Sequence, residues 1–224
     1  MKVRKFSAIT LALFMILTTL AGCRNKGNNE IPRVTKSAEE LERFKEAQQL
    51  AKQTAYTAMT EAHTLCTSAA STLVNAHSFS KSEAANYGNE VDCLTAFCMV
   101  TGLDKQVVSD ATDAVLEELQ LDRKPLTALL QDGNTAVAIA RQALTANGTY
   151  SSIEQRINQA TEALKTLSSE FDGYFPMRGY YFDLIEYATY CATPTGSYQD
   201  LDAAVKEYES TLAGTRYKME QFME

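Results

Sequence analysis

Apolar and small side chains recur along most of this chain at spacings of three and four, the period of a helix with one buried face. The first such row runs through Leu41, Phe44, Ala51, Ala55, Ala58, Ala62, Leu65, Ala69, Leu73 and Ala76. Ser37 and Glu40 stand at its head with capping-box spacing, which predicts a long helix starting there. Most of the row is alanine, so it permits close approach of neighbouring helices while burying little area per contact. His77 to Ser80 reads as a break, followed by a second helix over about 83–101 that stops at Gly102. Asp104 is placed to cap a third, carrying Val107, Val108, Ala111, Val115 and Leu119. A fourth is expected from Pro125 to Asn147 and Gly148, with Gly133 as its bend.

Ser151 and Glu154 have capping-box spacing again, and behind them Ile153, Ile157, Ala160, Leu164, Leu167, Phe171 and Tyr174 alternate steps of four and three. The last segment repeats the pattern through Leu201, Val205, Tyr208, Leu212, Thr215, Met219 and Phe222. These two helices are expected to have bundle partners along their full length, in the manner of a coiled coil. No stretch alternates with period two long enough to argue for a sheet. The expected fold is all-α, an antiparallel helical bundle with long helices at both ends of the sequence and shorter ones between.

Ahead of the bundle the pattern changes. Lys2, Arg4 and Lys5 form a basic start, Phe6 to Leu20 an apolar stretch, and Ala21 and Gly22 supply the small residues of a signal-peptidase site. The segment is too short and too early for a permanent membrane span. Leu20, Ala21, Gly22 and Cys23 together resemble the lipobox of bacterial lipoprotein precursors. That resemblance covers the leader alone. It implies that the Cys23 thiol takes a diacylglyceryl group, that cleavage follows on its amino side, and that acyl chains such as palmitate then hold the protein to a membrane. The alternative is a plain secretory signal followed by a coincidental cysteine. Residues 24–36 are polar, contain Gly27 and Pro32 and lack an apolar period, so they read as a flexible tether. The expected organisation is a signal peptide at 1–22, a lipidated tether at 23–36 and one helical domain at 37–224. Arg24 departs from the aspartate that favours inner-membrane retention, so the resemblance implies outer-membrane sorting in a Gram-negative host.

Charge narrows the partners. The chain carries −7, and its first 22 residues hold three bases and no acid, which leaves −10 beyond them. Such a body repels nucleic-acid phosphates and anionic headgroups, so nucleic acid is set aside and membrane attachment is assigned to lipid on Cys23. Four cysteines remain: Cys66, Cys93, Cys98 and Cys191. An even number in an exported chain suggests disulfides. Cys93 and Cys98 are five apart on one helix and point in different directions, so they are not expected to bond. Residues facing each other across a helical hairpin are equidistant from its turn. With the turn at Phe79 and Ser80, this favours Cys66 with Cys93 and leaves Cys98 with Cys191; the alternative is four free thiols. His63 and Cys66 form an i, i+3 pair, but continuous helix would put His77 roughly 21 Å from His63, too far for a shared metal. Neither a metal nor a cofactor is expected.

Between Tyr174 and Tyr190 aromatic residues crowd around Pro176 and Gly179. Tyr174, Phe175, Tyr180 and Tyr181, with Arg178 among them, form a candidate binding surface, and core packing is the competing explanation. Tyr180, following Gly179 at an expected helix start, is assigned outward, and Tyr187 and Tyr190 inward. Motifs of nucleophilic, phosphate-binding or zinc-dependent catalysis are missing from the sequence. The reading these features support is a non-catalytic, lipid-anchored envelope protein that binds another protein or serves as a scaffold. Its rival is a helical lipoprotein that holds a small ligand with the tyrosine-rich segment.

Overall fold

A computed structural model describes residues 37–120, 124–194 and 200–223. The leader, Cys23 and the tether lie outside these described residues. All regular structure among them is helical: α1 (Ala38–Ser82), α2 (Glu90–Thr101), α3 (Lys105–Leu119), α4 (Leu126–Leu130), α5 (Gly133–Ala146), α6 (Thr149–Thr166), α7 (Tyr174–Ala192) and α8 (Leu201–Glu220). None of these helices is long and apolar enough to cross a membrane. The fold is the all-α bundle that the hydrophobic spacing predicts.

Its organising element is α1, 45 residues long, against which α2, α5, α6, α7 and α8 all pack. The Ser37 and Glu40 capping box forms at its start as expected. Helices α5 and α6 run end to end along α1, both antiparallel to it. Gly133 at the head of α5 lies against His77, Arg156 of α6 pairs with Glu61 at 2.9 Å, and the end of α6 reaches Gln48. The molecule is therefore two half-bundles sharing one spine. In the proximal half, α1 to about residue 66 packs with α6, α7 and α8; in the distal half, the rest of α1 packs with α2 and α5, and α3 and α4 pack in turn on those two helices. Polar side chains of α1 take up backbone groups at the ends of its neighbours, which have no partner within their own helices. Gln48 donates to the Thr166 carbonyl at 2.9 Å and accepts from the Ser168 N–H at 2.6 Å. Thr72 and Asn75 donate to the Thr101 and Val100 carbonyls.

Several boundaries differ from expectation. The break at His77 to Ser80 does not occur: α1 runs on to Ser82 because Phe79 is buried against Tyr87 and Phe97, and the Ser80 and Ser82 hydroxyls bond back to helix carbonyls. The chain turns instead through a 3-10 segment, Ala84–Asn86, and α2 starts at Glu90 under an Asn89 cap. The Pro125 helix ends after Leu130, and a new one begins at Gly133, capped by Asp132. A Cβ on Gly133 would sit 2.8 Å from the His77 ring, so a side-chain-free residue allows this approach to the spine. Helix α6 starts at Thr149 behind Gly148, whose φ of +81° suits glycine, and the Ser151 capping box does not form. It also ends at Thr166, so Phe171 and Tyr174 belong to the following turn and helix rather than to its seam.

The expected cysteine pairing fails for the same reason as the expected break. Phe79 meets Phe97 and Thr72 meets Thr101, so the hairpin centres near Tyr87 and not on Ser80. Cys93 is thereby level with the end of α1, about 25 Å along the axis from Cys66. Cys98 is about 15 Å from the level of Cys66, beside which Cys191 sits. All four are free, buried thiols.

Ala62 is fully buried in the row of the spine that its neighbours approach most closely. Replacing it by leucine should overpack this seam and cost about 1–3 kcal/mol. Urea unfolding measures the loss, and an unchanged midpoint would show that the seam is not close-packed.

Candidate functional site: a buried clasp and an arginine–aromatic face

The row of alanines is only half of what α1 buries. One position further around, Lys52, Met59, His63, Cys66 and Ala70 form a second buried row, because α1 has neighbours on several sides. This row places His63 in the interior of the proximal half. Its Nδ1 lies 2.7 Å from the Tyr180 hydroxyl on α7, and its Nε2 lies 3.0 Å from Glu209 Oε2 on α8. The other oxygen of Glu209 accepts from Thr67 at 2.5 Å and from the Tyr187 hydroxyl at 2.8 Å. One carboxylate thus joins three helices. Burial alone would raise the Glu209 carboxyl, but the bonds from Thr67, Tyr187 and His63 and the His63 charge outweigh it and hold the group below its ordinary value. Burial drives the Tyr180 and Tyr187 hydroxyls upward, so both stay protonated. With Glu209 ionised, His63 Nε2 carries a proton and donates it. A second polar link lies one end of α8 further on, where Tyr56 and Arg216 both bond Glu220.

Carboxylate, imidazole and phenol stand in a line that resembles a proton relay, yet the Tyr180 ring is wholly buried. What the arrangement does is fasten α8, which buries little of its own apolar surface, to α1 and α7. His63 therefore has a hydrogen-bonding role in the interior. Cys66 lies one turn on, and His77 is at the distal end beside Gly133. Among the described residues no three His, Cys, Asp or Glu side chains are placed to hold a metal ion.

The candidate binding surface divides. Tyr180 and Tyr181 are buried, which corrects their assignment to a surface: Tyr180 bonds His63, and the Tyr181 hydroxyl meets Thr161 at 2.5 Å. The reason is helix phase. Helix α7 starts at Tyr174 and not at Gly179, with Pro176 in its first turn where no N–H is needed, so Met177, Tyr181, Leu184, Ala188 and Cys191 form its inner row. Tyr187 is buried and stacks on Tyr208, while Tyr190 is half-buried against the same ring. Phe175 is exposed, and Tyr174, Arg178 and Phe182 are half-buried beside it, with Tyr174 and Phe182 packed against the core. Phe175 is 70 % exposed. The Arg178 guanidinium carbon lies 5.5 Å from the centre of the Tyr174 ring and 5.3 Å from that of Phe182, held between two aromatic faces. Its Nε is buried without a hydrogen-bond partner among the described residues. On the outer side of α7 and α8, Asp183, Glu186, Tyr190, Glu207 and Tyr208 line a cleft of about 350 Å³.

The fold class is thus an all-α bundle built on one long helix. Comparison with protein-family models, with curated proteins and with solved structures finds no match to this chain.

A group whose folded value is lowered stabilises the fold above its ordinary value and loses that contribution as the pH falls through the lowered one. Glu209→Gln should therefore destabilise the protein at pH 7, and the difference from wild type should narrow as the pH drops below the ordinary carboxyl value of 4.5. Urea unfolding of both proteins across that range checks it. A difference that stays constant into acid would show that the Glu209 charge contributes nothing to the clasp.

Proposed function

We propose that the chain is a lipid-anchored, non-catalytic protein of a bacterial envelope, whose helical body binds a protein partner through the surface face of α7. The leader, the lipobox and the tether supply export and attachment at Cys23, with outer-membrane placement where the host is Gram-negative. The observation that carries the binding role is Arg178, clamped between Tyr174 and Phe182 with Phe175 exposed beside it. Arginine and aromatic residues dominate the anchors of protein interfaces, because they bring large contact area and a directed charge with little further ordering. Gln48 of α1 bonds the turn that leads into α7, so this face belongs to the proximal half of the bundle.

The acidic cleft between α7 and α8 favours a second reading, a small ligand held by the tyrosine-rich segment. The interior itself is filled by Tyr180, Tyr181 and Tyr187. Such a ligand would occupy an outer groove rather than a bundle cavity.

Two sets of variants test the primary reading. Cys23→Ser should abolish palmitate labelling and leave an uncleaved precursor; wild-type processing and fractionation would overturn the anchoring claim. Phe175→Ala and Arg178→Ala should each weaken recovery of the envelope partner by about 2 kcal/mol in affinity while leaving the melting temperature unchanged. Tyr181→Ala, by contrast, empties a buried site and should cost about 3–5 kcal/mol in stability. Full partner recovery by both face variants would eliminate this surface as the binding site.

A further inference from the structure

Cys66 and Cys191 meet where the two half-bundles join. Both are wholly buried, one in the second row of α1 and the other near the end of α7. Cys191 Sγ lies 3.6 Å from the Cys66 carbonyl, to which its thiol donates, and Cys66 together with burial holds that thiol well above its ordinary value. The Tyr150 hydroxyl donates to the Cys191 carbonyl at 2.9 Å, so α6 also fixes this end of α7. Cys93 and Cys98 belong to the distal half, on a helix that packs against neither α7 nor α8 closely. We propose that Cys66 and Cys191 are a covalent cross-linking site, at which oxidation joins α1 to α7 while Cys93 and Cys98 remain thiols. This pairing differs from the one that hairpin spacing suggests, and it rests on the contact between two helices 125 residues apart in sequence.

The oxidant is a disulfide, either a small-molecule dithiol couple or the active-site disulfide of a thiol oxidase. One cysteine thiolate attacks it, forming a mixed disulfide and releasing one thiol. The second cysteine then displaces the other sulfur. The new S–S bond forms, both protons of the original thiols end on the oxidant, and the oxidant leaves as two thiols. Attack needs a thiolate and access. In the folded reduced protein there is neither: the Cys66 hydrogen bond and burial keep Cys191 protonated, and no surface leads to it. The exchange therefore belongs to the interval before α7 docks on α1. A chain that folds reduced stays reduced, whereas one that folds in the presence of a disulfide is stapled.

The pairing can be tested apart from export, on which only the natural source of oxidant depends. The full chain carrying Cys23→Ser is unfolded, reduced, and refolded with oxidised and reduced glutathione, then alkylated and digested without reductant. The expected product is one peptide joining Cys66 to Cys191, with Cys93 and Cys98 alkylated. Adding reductant should lower its melting temperature by roughly 10 °C, given the long loop that the bond closes. That shift should persist in the Cys93→Ala, Cys98→Ala double variant and vanish in Cys191→Ala. Links to Cys93 or Cys98, or four alkylated thiols after refolding, would overturn the proposal. If refolding yields the link but protein from the envelope is fully reduced, the pairing stands and the export reading fails.

Discussion

Close approach along one uninterrupted helix is the constraint on which the other features depend. Ala51, Ala55, Ala58, Ala62, Ala69 and Ala76 remove side-chain bulk from one row of α1, and α5 and α6 run along it for nearly its whole buried length. Alanines themselves contribute little apolar area, so the favourable burial comes from what the partner helices bring, including Ile139, Ile157, Leu164, Tyr180 and Tyr181. Each half-bundle borrows α1 as a wall. Were the helix to break at His77, the distal half would lose Phe79 and the ring contacts that set the register of α2.

The second buried row of α1 explains why polar groups accumulate inside the proximal half. A helix covered on several sides must bury positions outside its apolar stripe, and here those include His63 and Cys66. Buried polar groups are tolerated when they are hydrogen-bonded. Glu209 answers His63, Thr67 and Tyr187 at once, and the cost of its partial desolvation is offset by three short polar contacts. Helix α8 buries only Leu201, Leu212 and Met219 fully, so these contacts specify where it lies. The tyrosines of α7 serve the same design: their rings fill the interior while their hydroxyls reach His63, Thr161 and Glu209.

Much of this was legible in the sequence, and the failures share a cause. Helix type, the Ser37 box, the Asp104 cap, the Gly102 stop and the α8 row follow from local spacing and cap chemistry, which tertiary packing does not disturb. Phase and continuity do not follow so simply. Serines at 78, 80 and 82 resemble a break because they favour turns, but a buried Phe79 overrides that preference. The six further helical residues, His77 to Ser82, then moved every facing pair in the hairpin and displaced the cysteine pairing. Starting α7 at Gly179 instead of Tyr174 likewise lost the helical phase that turns Tyr180 and Tyr181 inward. The His63 and Glu209 contact spans 146 residues and has no local signal. A hint existed in the adjacency of His63 to Ala62 in the seam, since a residue beside a buried row on a fully surrounded helix is itself covered.

The proposed binding role rests on what this packing leaves outside. The aromatic segment is mostly spent on the interior, and the remainder is a small face of Tyr174, Phe175, Arg178 and Phe182 in the proximal half. The most direct test is a photo-cross-linking amino acid placed at Phe175 in the full chain in intact cells, with the exposed Val91 of the distal half as the control position. A discrete protein adduct is expected from position 175 and none from position 91. Equal adducts from both, or an adduct from position 91 alone, would contradict it.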